Sequence, residues 1–130
     1  MSEKTNENNI AVISNNVCAQ IRIDDIEYIE QLGRKVHIVS STGDYCFYEK
    51  MCNLAPAITE RAFYRVMKGL IINCDKIVRL QNHEIVFESG RTYGMGRNNF
   101  IKLRQVYKRY LLQYPPFAFH RPRGMEERNT

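Results

Sequence analysis

The stretch F-Y-R-V-M-K-G-L-I-I-N-C-D-K-I, Phe63 to Ile77, joins two kinds of sequence that a plain core strand would keep apart. Arg65 to Gly69 is basic and partly polar, Leu70, Ile71 and Ile72 are apolar, and Asn73 ends the run. A short apolar run bounded by turn residues reads as a buried strand. Phe63 and Val66 anchor the chain just before it, so Lys68 and Gly69 become a tip held out by that strand. The rest of the sequence has to say what such a tip is for.

Further along, K-I-V-R-L adds another apolar run, closed by Gln81-Asn82-His83. E-I-V-F-E alternates charged and apolar residues, Ser89-Gly90 supplies a turn, and R-T-Y-G-M returns, which is a hairpin pattern. On the other side, D-I-E-Y-I-E-Q ends at Leu32-Gly33. R-K-V-H-I-V-S is joined through Ser41-Thr42-Gly43 to D-Y-C-F-Y-E-K, with β-branched and aromatic residues on both arms. About five to seven strands are expected. Two helices interrupt them. N-L-A-P-A-I-T-E-R-A has Leu54, Ile58 and Ala62 at helical spacing, with Asn53 as cap and Pro56 in the first turn. N-N-F-I-K-L-R-Q-V-Y-K-R-Y-L-L-Q-Y places Phe100, Leu103, Val106, Tyr107, Tyr110 and Leu111 on one face, with Lys102, Gln105, Lys108 and Arg109 largely opposite. The fold class is therefore mainly β, with small antiparallel sheets, one short helix and a C-terminal basic amphipathic helix. Residues 1–9 are polar and expected to be disordered, 10–114 form the domain, and 115–130 are a tail with proline and arginine in which Phe117 and Phe119 alternate like a strap.

A chain of 130 residues suffices for one domain with a hydrophobic core. No apolar run is long enough to span a bilayer, and the start M-S-E-K-T-N-E-N-N lacks the order of a secretory signal, which places the protein in the cytoplasm. The four cysteines include no C-x-x-C pair and lie far from the three histidines in sequence, so no zinc site is expected. Cys18, Cys46 and Cys74 have apolar neighbours and read as small buried thiols. The formal charge of +5 is unevenly distributed. Between Arg91 and Met125 there is no Asp or Glu, while Arg91, Arg97, Lys102, Arg104, Lys108, Arg109, Arg121 and Arg123 all fall there. Such a stretch attracts a polyanion, with a merely solvated helix face as the plain alternative.

Little points to an enzyme. Gly94 and Gly96 form half of a dinucleotide loop, but the third glycine position is Asn99 and the preceding strand belongs to a hairpin. Next to Arg97 and a helix start, those glycines suit a phosphate, or simply a tight bend. Asp24, Asp25, Glu27 and Glu30 read as turn residues facing solvent rather than catalytic carboxylates. His37, between Val36 and Ile38, reads as a structural or surface histidine. No catalytic residues, metal or cofactor are expected.

The ordered landmarks resemble a known family. D-I-x-Y-I-E (Asp25 to Glu30), F-x-R-V (Phe63 to Val66), I-N-x-x-x-I (Ile72 to Ile77) and the arginine after the last hairpin (Arg97) together are similar to the LytTR DNA-binding domain of bacterial transcription regulators. The similarity covers about Ile21 to Leu112. It implies an elongated arrangement of small sheets in which loops, not a recognition helix, enter successive major grooves and bend the duplex. The loops implied are Gly33-Arg34-Lys35, Met67-Lys68-Gly69, and Arg97 with Asn98. Arginine can hold guanine O6 and N7 in two hydrogen bonds, and lysine can read a base or clamp a phosphate. Lys102, on the basic helix face, is expected to hold phosphate. Two departures stand out: Met67-Lys68-Gly69 replaces the family's frequent His-Arg-Ser, and Gly96 replaces a common serine.

The expectation is thus a stand-alone transcriptional regulator, without a receiver domain, binding double-stranded DNA on direct repeats as a homodimer. It is not an enzyme and does not insert in a membrane. A different reading is a protein-interaction module that titrates a partner regulator, motivated by Met67 and Gly69. RNA binding would need Tyr93, Tyr107 and Tyr110 for stacking, whereas their place on the apolar side points to packing.

Overall fold

A hairpin opens the chain: β1 (Asn9–Ile13) pairs antiparallel with β2 (Cys18–Arg22), Ile10 opposite Ile21. In this computed structural model residues 8–58 and 62–113 are described. The expected disorder of residues 1–7 and the strap of Phe117 and Phe119 lie outside the described residues. Strand β1 begins at Asn9, inside the segment expected to be disordered, because Ile10 and Val12 alternate inward and are buried.

A single 3₁₀ turn, Ile23–Asp25, leads into the meander β3 (Ile26–Leu32), β4 (Lys35–Ser40) and β5 (Gly43–Tyr48). Helix α1 (Met51–Ile58) follows, then the hairpin β6 (Phe63–Met67) and β7 (Leu70–Asn73). A second 3₁₀ turn, Cys74–Lys76, starts another meander, β8 (Ile77–Gln81), β9 (Glu84–Phe87) and β10 (Thr92–Gly94), and helix α2 (Arg97–Gln113) ends the described chain. Ten strands are described, more than expected, because the hairpin of β1 and β2 and strand β6 carry polar residues on their exposed rows.

The central sheet has the order β5-β4-β3-β7-β6, with β3 flanked by β4 and β7. Its two faces build two cores. Ile26, Ile29, Val36, Ile38, Phe47 and Ile71 pack on one side with the first hairpin and with Met51, Leu54 and Ile58 of α1. Tyr28, Val39, Leu70 and Ile72 pack on the other with Ile85 and Phe87 of the second meander and Leu103 of α2. Each fully buried branched side chain contributes about 1.5 to 3 kcal/mol. The opening motif is placed by this arrangement. Asn73 is buried, donates to the Ile26 carbonyl at 2.8 Å and accepts from the Asp75 amide at 3.0 Å, so one amide starts the second 3₁₀ turn and ties it to β3.

Three expectations need correction. Helix α1 starts at Met51 rather than being capped by Asn53: the Met51 N–H donates to Gln31 Oε1 at 2.8 Å, and Glu49 accepts from Lys50 N–H and Asn53 Nδ2. Pro56 therefore falls in the second turn, where its ring leaves the Cys52 carbonyl without its helical donor. Cys18 and Cys46 are exposed and only Cys74 is buried, because an apolar sequence neighbour in a strand marks the opposite face. Burial pushes the Cys74 thiol up to about 12. Finally, Glu27 is fully buried and Glu30 half-buried, rather than facing solvent. Arg91 Nε donates to Glu27 Oε1 at 3.0 Å, and Tyr93 Oη donates to Glu30 Oε2 at 2.5 Å, so both carboxylates join the central sheet to the second meander.

Candidate nucleic-acid interface

Strands β3 and β7 are antiparallel neighbours, so the turn that ends β3 and the turn that begins β7 lie at one end of the sheet. The first turn is Gly33-Arg34, between the paired residues Leu32 and Lys35. Gly33 has φ 65°, a left-handed conformation that glycine adopts without strain. The second turn is Lys68-Gly69, between the paired residues Met67 and Leu70. The two touch: the Gln31 N–H donates to the Gly69 carbonyl at 2.8 Å. A Cβ on Gly69 would sit 3.4 Å from the Gln31 Cβ, at the near edge of ordinary contact, so the two turns are close neighbours. The third segment joins them through Asn99, whose Nδ2 lies 3.6 Å from the Met67 Sδ, bringing the first turn of α2 against the second tip.

Of the residues named from sequence, Arg34, Lys35, Lys68, Arg97 and Asn98 are exposed on these three neighbouring segments. Gly69 is half-buried and contributes backbone and space. Lys102 is exposed too, but five residues of helix place it about 7.5 Å along the axis behind Arg97. Lys35 extends its ammonium over the Tyr48 ring at 4.9 Å, which fixes the direction of its charge.

Sequence reading missed the residues that hold the tips. Arg65 donates through Nε and Nη2 to the Lys68 carbonyl at 3.2 and 2.6 Å, so its guanidinium braces the second turn. Gln31 Nε2 reaches the carbonyls of Gly33, Lys35 and Glu49 at 3.1, 3.1 and 3.0 Å, bracing the first. The signal for Arg65 was its strand position two residues before the tip; for Gln31 and Asn99 no local pattern existed. On the far side of the second meander, Asn82 and His83 both have positive φ, 56° and 62°, as a two-residue hairpin turn of the primed type requires. The His83 ring packs edge-on against Phe100 and its carbonyl accepts from the Met95 N–H, which seats the start of α2.

Charge is divided along the molecule. The two 3₁₀ turns carry Asp24, Asp25 and Asp75 at the end of the central sheet opposite the tips; burial, then the Asp24 charge, raises the Asp75 carboxyl. Three cations away from the tips are paired: Arg22 with Asp25, Lys76 with Glu88, and Arg91 with Glu27 and Asp44. Arg91 thus leaves the basic run read from sequence, and Arg121 and Arg123 lie outside the described residues. On α2, Arg97, Lys102, Arg104, Lys108 and Arg109 are exposed, the helix holds no acid, and among the described residues none of the five forms an ion pair. Tyr93, Tyr107 and Tyr110 are half-buried against the second core, with Tyr107 donating to the Ile77 carbonyl and Tyr110 to Asp75, so their rings are committed to packing. Burial raises the Tyr107 hydroxyl, and burial with the Glu30 bond raises Tyr93.

Exposed cations gathered at such an end attract a polyanion. Among the described residues no three His, Cys, Asp or Glu side chains cluster to hold a metal ion, and no helix is long and apolar enough to cross a membrane. Comparison with known proteins gives a consistent assignment. A family model described as the LytTr DNA-binding domain matches residues 17–108. A solved LytTr DNA-binding domain from Bacillus cereus has the same fold, with a TM-score of 0.61 at 10% identity over 76% of this chain and 95% of that one. A search of curated proteins found no match.

Proposed function

The chain belongs to the LytTR DNA-binding domain family, and on that premise we propose that it binds specific double-stranded DNA through its three tips and regulates transcription. The observation that carries this reading is the joining of three basic segments at one sheet end by the Gln31 to Gly69 and Asn99 to Met67 contacts. Arg97, with Asn98 beside it, is the principal base reader; a bidentate guanidinium on guanine is worth about 1 to 3 kcal/mol of discrimination. Lys68 reads a base or holds a phosphate from the second tip. Lys35, with Arg34 beside it, meets base edges from the first tip, and Lys102 contacts phosphates, which set register and affinity rather than sequence. Two copies act on direct repeats in the cytoplasm.

Selection from random duplexes tests the reading: an enriched motif is expected, whose binding weakens steeply as salt rises, since each phosphate contact releases counterions. One observation favours the second reading, a protein-interaction module. Met67 is 38% exposed at the tip, an apolar side chain where a hydrogen-bonding one would read a base edge. No enriched motif, together with tight binding to a second regulator, would favour that module.

A further inference from the structure

Gln31, half-buried behind the first tip, joins that tip to the start of α1 and to the second tip, its two amide hydrogens shared among three carbonyls. Its Nε2 reaches the carbonyls of Gly33 and Lys35, on either side of Arg34, and the Glu49 carbonyl. Its Oε1 accepts the Met51 N–H at the start of α1. Its backbone N–H donates to the Gly69 carbonyl of the second tip, and its Cβ lies close to the Gly69 backbone. The Glu49 N–H donates in turn to the Arg34 carbonyl at 3.2 Å, closing the first turn against the segment before α1. A two-residue turn carrying Arg34 is thereby fixed from inside, and the backbone of the same residue pairs with the neighbouring turn that carries Lys68.

We propose that Gln31 is the positioning residue that sets the separation of the first and second DNA-contacting tips, and so the spacing between the base pairs they meet. This rests on the DNA-binding reading above. Two tips can enforce a spacing only if they cannot move independently, and a site is held to within about 0.5 Å only when supporting hydrogen bonds lock the groups that touch the ligand. Without the Gln31 amide the first turn keeps its strand pairing and the backbone bonds of residue 31 to Gly69 and of Glu49 to Arg34, but loses the side-chain bonds to the Gly33, Lys35 and Glu49 carbonyls and to the Met51 N–H. The loosened turn that carries Arg34 then shifts relative to Lys68, while its cations still meet phosphates.

The test uses the full chain and the duplex it selects from a random library, with Gln31→Met, of similar length and without the amide, and Gln31→Glu, which keeps an acceptor for Met51 but no donor. Wild type should reject duplexes with one base pair inserted or removed between the contacted segments. Both variants should bind the selected duplex about tenfold more weakly, bind unselected duplex at low salt as wild type does, and tolerate the altered spacing. By hydrogen exchange, the Met51 amide should open faster in Gln31→Met and stay protected in Gln31→Glu. Wild-type affinity and spacing preference in both variants would overturn the role, as would an equal loss on selected and unselected duplexes with a lowered melting temperature. Failure of wild type to enrich any motif would overturn the DNA reading itself and this role with it.

Discussion

The two meanders, β3 to β5 and β8 to β10, follow one local plan and put it to different uses. Each begins after a 3₁₀ turn, each shifts register within its first residues, between Ile26 and Tyr28 or between Ile77 and Arg79, and each has a two-residue first turn. The residue passed over in the first is Glu27, fully buried; in the second it is Val78, 52% exposed. The first turn of the first meander is Gly33-Arg34, basic and braced by Gln31, whereas that of the second is Asn82-His83, packed under Phe100. One meander presents a tip; the other supports the helix that presents the next. Besides the apolar packing of Tyr28 and Val39 with Ile85 and Phe87, the seam between them carries polar ties through Glu27, Arg91, Asp44, Glu30 and Tyr93.

That seam gives the largest expected effect. Arg91→Met leaves the buried Glu27 carboxylate without its cation, and should cost about 2 to 4 kcal/mol, less than for a fully buried pair because Arg91 is partly exposed. Urea unfolding measures it, and adding Glu27→Leu to Arg91→Met should restore most of the loss. If Arg91→Met alone unfolds like wild type, the seam does not hold the two meanders together. On binding, Arg97→Ala should remove about 1 to 3 kcal/mol of preference for the selected duplex while leaving the far-UV spectrum unchanged. Lys102→Ala should weaken all duplexes alike and lower the salt slope by about one. A normal sequence preference in Arg97→Ala would move base reading away from α2. The smallest effect separates the two turns. Gly33→Ala meets no neighbour within 4 Å but must adopt φ 65°, so it should destabilise by about 1 kcal/mol, while Asn82→Gly, at φ 56°, should change stability by about 0.5 kcal/mol or less. A loss in Asn82→Gly as large as in Gly33→Ala would mean that the left-handed backbone does not set the cost at these turns.

Much of this arrangement was readable from the sequence, for a physical reason. Leu70 to Ile72, the alternation of Glu84 to Glu88 and the apolar face of α2 are local periodicities, and local periodicity decides strand and helix. The tips were legible because Lys68-Gly69 and Gly33-Arg34 combine a turn residue with a cation. What escaped depends on pairs distant in sequence. Gln31 meets Gly69 and Glu49, Asn99 meets Met67, and Glu27 meets Arg91; nothing beside Gln31, Asn99 or Glu27 in sequence points to these partners. Cys46 was misplaced because Tyr45 and Phe47 mark the other face of its strand. The charge run was overcounted for a related reason: Arg91 is basic in sequence but is neutralised by Glu27 and Asp44 across the seam.

The central claim is that one end of the molecule, the end with the three tips, faces DNA. Backbone amide shifts followed while the selected duplex is added test it most directly. The account predicts changes concentrated at Gly33 to Lys35, Met67 to Gly69 and Arg97 to Asn99, with the acidic turns at Asp24 and Asp75 nearly still. Changes centred on those acidic turns, or absent from the tips while the duplex is bound, would contradict it.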